Sequence, residues 1–172
     1  MKILRVSAIT IIVFIFIIMA FIEIYALQIN LPRTGEVVYS RHIRVNESFF
    51  TTNIHSVELC TVTEYFRFDN NYNIVLYEAT APYSSFGLPY AAFENEKFIL
   101  ENDIFRVINI SRLIPEIVIF AEKQYENTIC FKGEPFKLYG PSGYRLVRIY
   151  VEKTPLWKYA FVRGLLYIYK IF

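Results

Sequence analysis

The sequence predicts an all-β domain, an antiparallel β-sandwich or barrel-like fold, preceded by one N-terminal transmembrane helix. Three observations lead there. Residues Val6 to Ile22 carry no charge. The chain holds 14 Tyr and 16 Phe against only 6 Gly, and aromatic and β-branched residues favour strands. Turn formers also punctuate the chain at the short intervals typical of sandwiches. The 172 residues divide accordingly into an anchor (1–32), a β-sandwich ectodomain (33–153) and an apolar aromatic tail (154–172).

Apolar character continues past Glu23 to Leu31 in "AITIIVFIFIIMAFIEIYALQINLP". A helix over Val6–Leu31 would be roughly 39 Å long, more than the ~30 Å of a bilayer's hydrocarbon. A secretory signal has a shorter apolar region and a small-x-small cleavage site. Here the candidate cuts after Ala20 and Ala26 carry Ile18 and Ile24 at the position two before. A retained anchor is therefore expected over a cleaved signal. Lys2 and Arg5 precede the run and Arg33 is the lone base soon after it, which places the large domain outside. Pro32 ends the helix. Glu23 falls about 25 Å along it, at headgroup depth; the alternative is an intramembrane carboxylate paired with a neighbouring helix.

Beyond the anchor, "GEVVYSRHIRV" alternates as a half-buried strand. "SVELCTVTEYFRF" and "NIVLYEA" flank the turn formers "DNNYN" and read as a hairpin. "DIFRVINISRL" and "EIVIFAEK" are two strands broken at Pro115, and "NTICFK" is expected to pair with the second. "FKLYGPSGYRLVRIYVEK" reads as a last hairpin turning at "GPSG". Residues 81–97, "APYSSFGLPYAAFENEK", are too long for a turn and form a candidate contact loop, with Pro89 suited to open a short helix.

Cys60 and Cys130 both fall in expected strands. In an oxidising compartment they would form one disulfide, worth roughly 4 kcal/mol by chain entropy; two buried free thiols are the alternative. Asn46 and Asn109 match the glycosylation pattern, Asn46 at a turn and Asn109 inside a strand. The tail "TPLWKYAFVRGLLYIYKIF" spreads Lys158, Arg163 and Lys170 so that neither helical nor strand phase separates them. Its aromatics Trp157, Tyr159, Phe161, Tyr167 and Tyr169, with Glu23, are the candidate membrane or partner contacts. An exposed apolar C-terminus needs a cover, either a bilayer or a partner.

No catalytic set is expected. The two histidines, His42 and His55, have no zinc-ligand spacing to the cysteines. After residue 100 there is one Cys, no His and no Met, which excludes a copper site of the oxidase-subunit type. Nucleophile-elbow, metalloprotease and phosphate-loop motifs are absent, Ser142 in "GPSG" reads as a turn residue, and Glu94 with Glu96 as solvated loop charges. A net charge of +2 gives no case for nucleic acid. The expectation is a non-enzyme with no cofactor, no metal and no small-molecule substrate.

The phrases "VVYSRHIRVNESFF", "TVTEYFRFDNNYNIVLYEATAPYSS" and "KLYGPSGYRLVRIYVEKTPLWK" resemble small occlusion-derived-virion envelope proteins of insect baculoviruses, in the per os infectivity factor group. That resemblance implies a virion-envelope protein, sorted through the host inner nuclear membrane. It also implies a subunit of a hetero-oligomeric complex of envelope proteins needed for oral infection of midgut cells. It carries no catalytic residues. Two other readings stay open: a prokaryotic surface protein of pilus or archaellum type, and an accessory subunit of a membrane complex. In each the partners are other membrane proteins and the lipid bilayer.

Overall fold

The computed structural model describes residues 14, 17–82 and 95–171. It is mostly β, with eleven strands in two antiparallel sheets, consistent with a β-sandwich. The larger sheet has the order β10-β9-β3-β4-β5-β7-β6 and the smaller β2-β1-β11-β8. The strands are β1 (Glu23–Asn30), β2 (Val37–His42), β3 (Ser48–Ile54), β4 (Thr61–Phe68), β5 (Ile74–Ala81) and β6 (Lys97–Glu101). There follow β7 (Ile104–Ile114), β8 (Ile117–Glu122), β9 (Thr128–Phe131), β10 (Glu134–Lys137) and β11 (Tyr144–Pro155). A C-terminal helix, Leu156–Ile171, closes the chain.

The core follows from period-two alternation, which sends every second side chain inward. Phe49, Phe66, Phe68 and Phe131 come from the large sheet, and Leu27, Ile29, Val147 and Ile149 meet them from the small one. The Phe49 ring lies 4.9 Å from Phe66 and 5.5 Å from Phe68, at separations where aromatic pairs add to area burial. Full burial of each such side chain stabilises by roughly 1.5–3 kcal/mol.

The "DNNYN" hairpin forms as expected. β4 and β5 pair antiparallel, and the Asp69 carboxylate accepts the backbone N–H groups of Asn71 and Asn73, both at 2.8 Å. The Asn73 side-chain amide, which donates to it at 2.9 Å, and then these backbone bonds favour its ionised form and hold its pKa below the ordinary carboxylate value. At the tip, Tyr72 stacks on Tyr25 of β1, centroids 3.8 Å apart, so the hairpin of one sheet caps a strand of the other.

The N-terminal expectation needs correction. Residues 23–30 are a strand, not the end of a helix. Phe14 and residues 17–21 are helical and the chain is extended from Glu23 on. Among the described residues no helix is long and apolar enough to cross a membrane; most of the uncharged run before Phe21 lies outside them. The reason is visible in "EIYALQIN". Tyr25, Leu27 and Ile29 point into the sandwich while Ala26, Gln28 and Asn30 alternate with them, a period of two that places amides on the opposite face.

Two pairings also differ. β9 pairs with β3 and β10, not β8, because a 3-10 turn at Lys123–Tyr125, ended by left-handed Glu126, carries the chain to the other sheet. β10 and β11 likewise belong to different sheets. The "GPSG" segment turns tightly, with the Gly143 N–H on the Gly140 carbonyl at 3.0 Å and φ +90° at Gly143, but it is a corner between sheets rather than a hairpin. Most of the contact loop and of the helix from Pro89 falls at residues 83–94, outside the described residues, while Ala81 ends β5 and Lys97 opens β6.

Candidate membrane-facing surface

The small sheet has two unlike faces. Its inner face is apolar core; its outer face carries Ser40, Gln28, Asn30 and Thr154, all buried. The C-terminal helix covers them. It starts where β11 ends, turns back and lies along β1 and β2. Pro155 allows that turn, since proline cannot extend the β ladder and suits the first turn of a helix.

Polar contacts fix the helix to the sheet. The Tyr159 hydroxyl accepts the His42 backbone N–H at 3.0 Å, and the Arg163 guanidinium donates to the Ser40 carbonyl at 3.3 Å. Lys158 pairs with Glu152 at 2.9 Å. Tyr159, Val162, Arg163 and Leu166 are half-buried on this side, at the spacing of one helix face. Beneath them the Tyr150 hydroxyl donates to Gln28 at 3.2 Å and the Arg148 guanidinium to Asn30 at 3.2 Å. Burial raises the Tyr150 pKa, and lowers that of His42 with help from the Lys132 ammonium. Burial pushes Tyr39, on the inner face of β2, up to about 12.

The opposite face of the helix is apolar and exposed. Trp157, Phe161, Leu165 and Ile168 recur at helical spacing, with Phe161 62% and Tyr167 69% exposed. From Lys153 to the C-terminus the chain has three lysines and one arginine and no acid. The helix is thus apolar on both sides and basic wherever it is charged.

The N-terminal segment meets this helix. The Leu156 N–H donates to the Ile22 carbonyl at 2.8 Å, one step beyond the Glu23–Pro155 pair of the β1–β11 ladder. Phe21 is 83% exposed, and Phe14, Ile17 and Ile18 are exposed as well. Two apolar segments, some 130 residues apart in sequence (compare Ile22 with Leu156), therefore meet at one end of the small sheet.

The predicted site residues divide accordingly. Trp157, Phe161 and Tyr167 lie on the exposed helix face, whereas Tyr159 is a latch to the sheet. Tyr169 is in the helix, its side chain outside the description. Glu23 opens β1 and forms an ion pair with Lys153 on β11, both half-exposed; its partner is a neighbouring strand. Asn46 is exposed in a turn with φ 65°. Asn109 is exposed within β7 at φ 61°, beside the register shift opposite Leu76 and Glu78.

The expected disulfide is absent: Cys60 and Cys130 are both free thiols. Register explains it. Cys60 closes the turn onto His55 just before β4, whereas Cys130 lies on β9 opposite Phe50. Five residues of β3 separate those levels, roughly 17 Å along the strand, beyond the Cα separation a disulfide tolerates. Glu96 is also not a solvated loop charge: it is buried and accepts Arg112 at 2.7 Å. Among the described residues no three His, Cys, Asp or Glu side chains gather to hold a metal ion.

Sequence periodicity alone could not phase the helix, because both of its faces are apolar. The signal that does phase it is the position of the small and basic residues, Ala160 and Gly164 outward and Arg163 toward the sheet.

A family model described as "Domain of unknown function (DUF1850)" matches residues 49–138, just over half of the chain. The match runs from β3 through β10 and ends before β11 and the C-terminal helix. No curated protein and no solved structure matches the chain. The expected kinship with baculovirus envelope proteins is overturned: the family found is a different one, and nothing found indicates such a protein.

Proposed function

The chain belongs to the DUF1850 family, and from that premise we propose a membrane-tethered, non-catalytic β-sandwich that serves as an accessory subunit of a membrane-protein complex. The oral-infection role rested on the baculovirus resemblance alone and goes with it.

The observation that carries this reading is the pair of apolar segments meeting at Leu156 and Ile22. The uncharged run Val6–Ile22 supplies the anchor. The C-terminal helix supplies a second contact, lying in the headgroup region with Trp157, Phe161, Leu165 and Ile168 toward lipid. Interfacial helices combine such an aromatic-rich apolar face with basic residues that meet anionic headgroups. Two attachments at one end of the small sheet hold the sandwich close to the bilayer, its large sheet facing away and available to partners.

Trp157 is the chain's single tryptophan, so it reports on the helix without labelling. Full-length protein reconstituted into vesicles of mixed neutral and anionic lipid, brominated at a shallow acyl position, should show strong quenching of Trp157 emission. Emission at the wavelength of water-exposed indole, with no loss to brominated lipid, would sink the proposal.

A further inference from the structure

A second surface stands apart from the membrane-facing one. Seven strands face four, and beside the edge strand β8 the sheets part around a cleft of about 320 Å³. Thr51 and Glu64 line it from the large sheet; Ile117 and Ile119 from β8; Asn127 and Leu138 from the connections beside β9 and β10.

Glu64 is out of place for a core. It projects from the inner face of β4, in the row that runs through Phe66 and Phe68. Its ladder partners are Thr51 and Ala79, with Ile129 and Val107 next to those. Burial raises its pKa, outweighing the hydrogen bond from the Thr51 side chain. Among the described residues no cationic side chain acts on it. A carboxylate in such a row weakens the fold, and side chains that break the local rule without structural gain mark functional positions.

We propose that this cleft binds a small primary amine, with Glu64 as counter-ion to the ammonium and Ile117, Ile119 and Leu138 against its hydrocarbon body. The carboxylate only accepts hydrogen bonds, and an ammonium only donates them. Thr51 orients the carboxylate, and among the described residues no cation competes for it. The volume lies near the lower bound of ligand pockets, which suits an amine with a short alkyl or side-chain-sized body. A single carboxylate with no second acid is a poor seat for a metal ion. This reading goes beyond the membrane role and departs from the expectation of no small-molecule ligand.

The test uses isotope-labelled full-length protein in detergent micelles, titrated with n-butylammonium and, separately, with butyrate and n-butanol. Saturable amide shifts at Thr51, Glu64 and Ile119 are expected with n-butylammonium alone. Glu64→Gln should weaken that binding about tenfold or more, since a charge-assisted hydrogen bond is lost. Thr51→Val, close in shape, should weaken it less and guards against a folding defect in the first variant. Equal responses to the three probes, no saturation with n-butylammonium, or unchanged affinity in folded Glu64→Gln would each overturn the proposal.

Discussion

The Tyr159 hydroxyl accepts the backbone N–H of His42 at 3.0 Å, joining the C-terminal helix to an edge strand of the small sheet. The edge is closed at that point, because an N–H that would otherwise be free to pair with another chain is occupied. Arg163 supports the same attachment one turn later through the Ser40 carbonyl. A helix whose other face is apolar is thereby held in register with the sheet by two polar contacts.

Tyr159→Phe removes the acceptor while keeping the ring. We expect a loss of about 1 kcal/mol, the net worth of a neutral hydrogen bond, and faster hydrogen exchange at the His42 amide. Exchange measured by mass spectrometry on peptides covering β2 checks this. An unchanged His42 rate would show that the helix does not depend on this contact.

Gly164 lies within the helix with open space where a Cβ would be. Gly164→Ala should stabilise the helix by roughly 0.5–1 kcal/mol, because glycine loses more backbone freedom on folding. Chemical denaturation of the pure protein measures it. A decrease in stability would mean that the outward face packs closely on something, and Gly164 would then be a contact position.

Glu64 makes stability depend on pH. Its folded pKa is raised above the ordinary 4.5, chiefly by burial. Well below 4.5 both folded and unfolded chains hold the proton, and the residue costs nothing. As pH rises through 4.5 the unfolded chain releases its proton first, so stability falls until the folded value is passed. Glu64→Gln should therefore raise the melting temperature by a few degrees at pH 7, with the gain vanishing in acid. A gain of equal size at both ends of that range would count against the titration as its cause.

Strand β1 restricts where the N-terminus can be processed. A cut after Ala26 would divide a strand whose Ala26, Leu27 and Ile29 are fully buried between β2 and β11. A cut after Ala20 would leave the strand whole. Intact mass of the mature protein should show every residue from Glu23 onward. A chain beginning at Leu27 would contradict the β1–β11 ladder.

Much of the sandwich is legible in the sequence where polar and apolar residues alternate strictly and turn residues stand between them. "DNNYN" identifies the β4–β5 hairpin because Asp69 can bond its own backbone two and four residues on. The alternation in "EIYALQIN" is equally regular, but it follows an apolar run without a break, so length conceals it. Partner choice was less accessible. β9 and β10 have the composition of strands, yet the sheet they join is decided by the left-handed turn at Glu126 and the corner at Gly143. The cleft at Glu64 could not be anticipated, since inner and outer acids look alike until the register is known. The helix latch depends on Tyr159 and Arg163 facing a sheet that periodicity does not reveal.

β1 and β11, the first and last strands among the described residues, are joined across eight consecutive residue pairs, Glu23–Pro155 to Asn30–Arg148. The small sheet therefore cannot assemble until β11 has left the ribosome, more than a hundred residues after β1 (compare Asn30 with Tyr144). Until then β1 waits without its partner, directly after the most apolar stretch of the protein. Early engagement of that stretch by a membrane would hold β1 at a fixed place while the large sheet, whose strands are all synthesised in between, folds first. The order of biosynthesis thus puts the small sheet after the large one, and the helix that follows β11 settles over it later still.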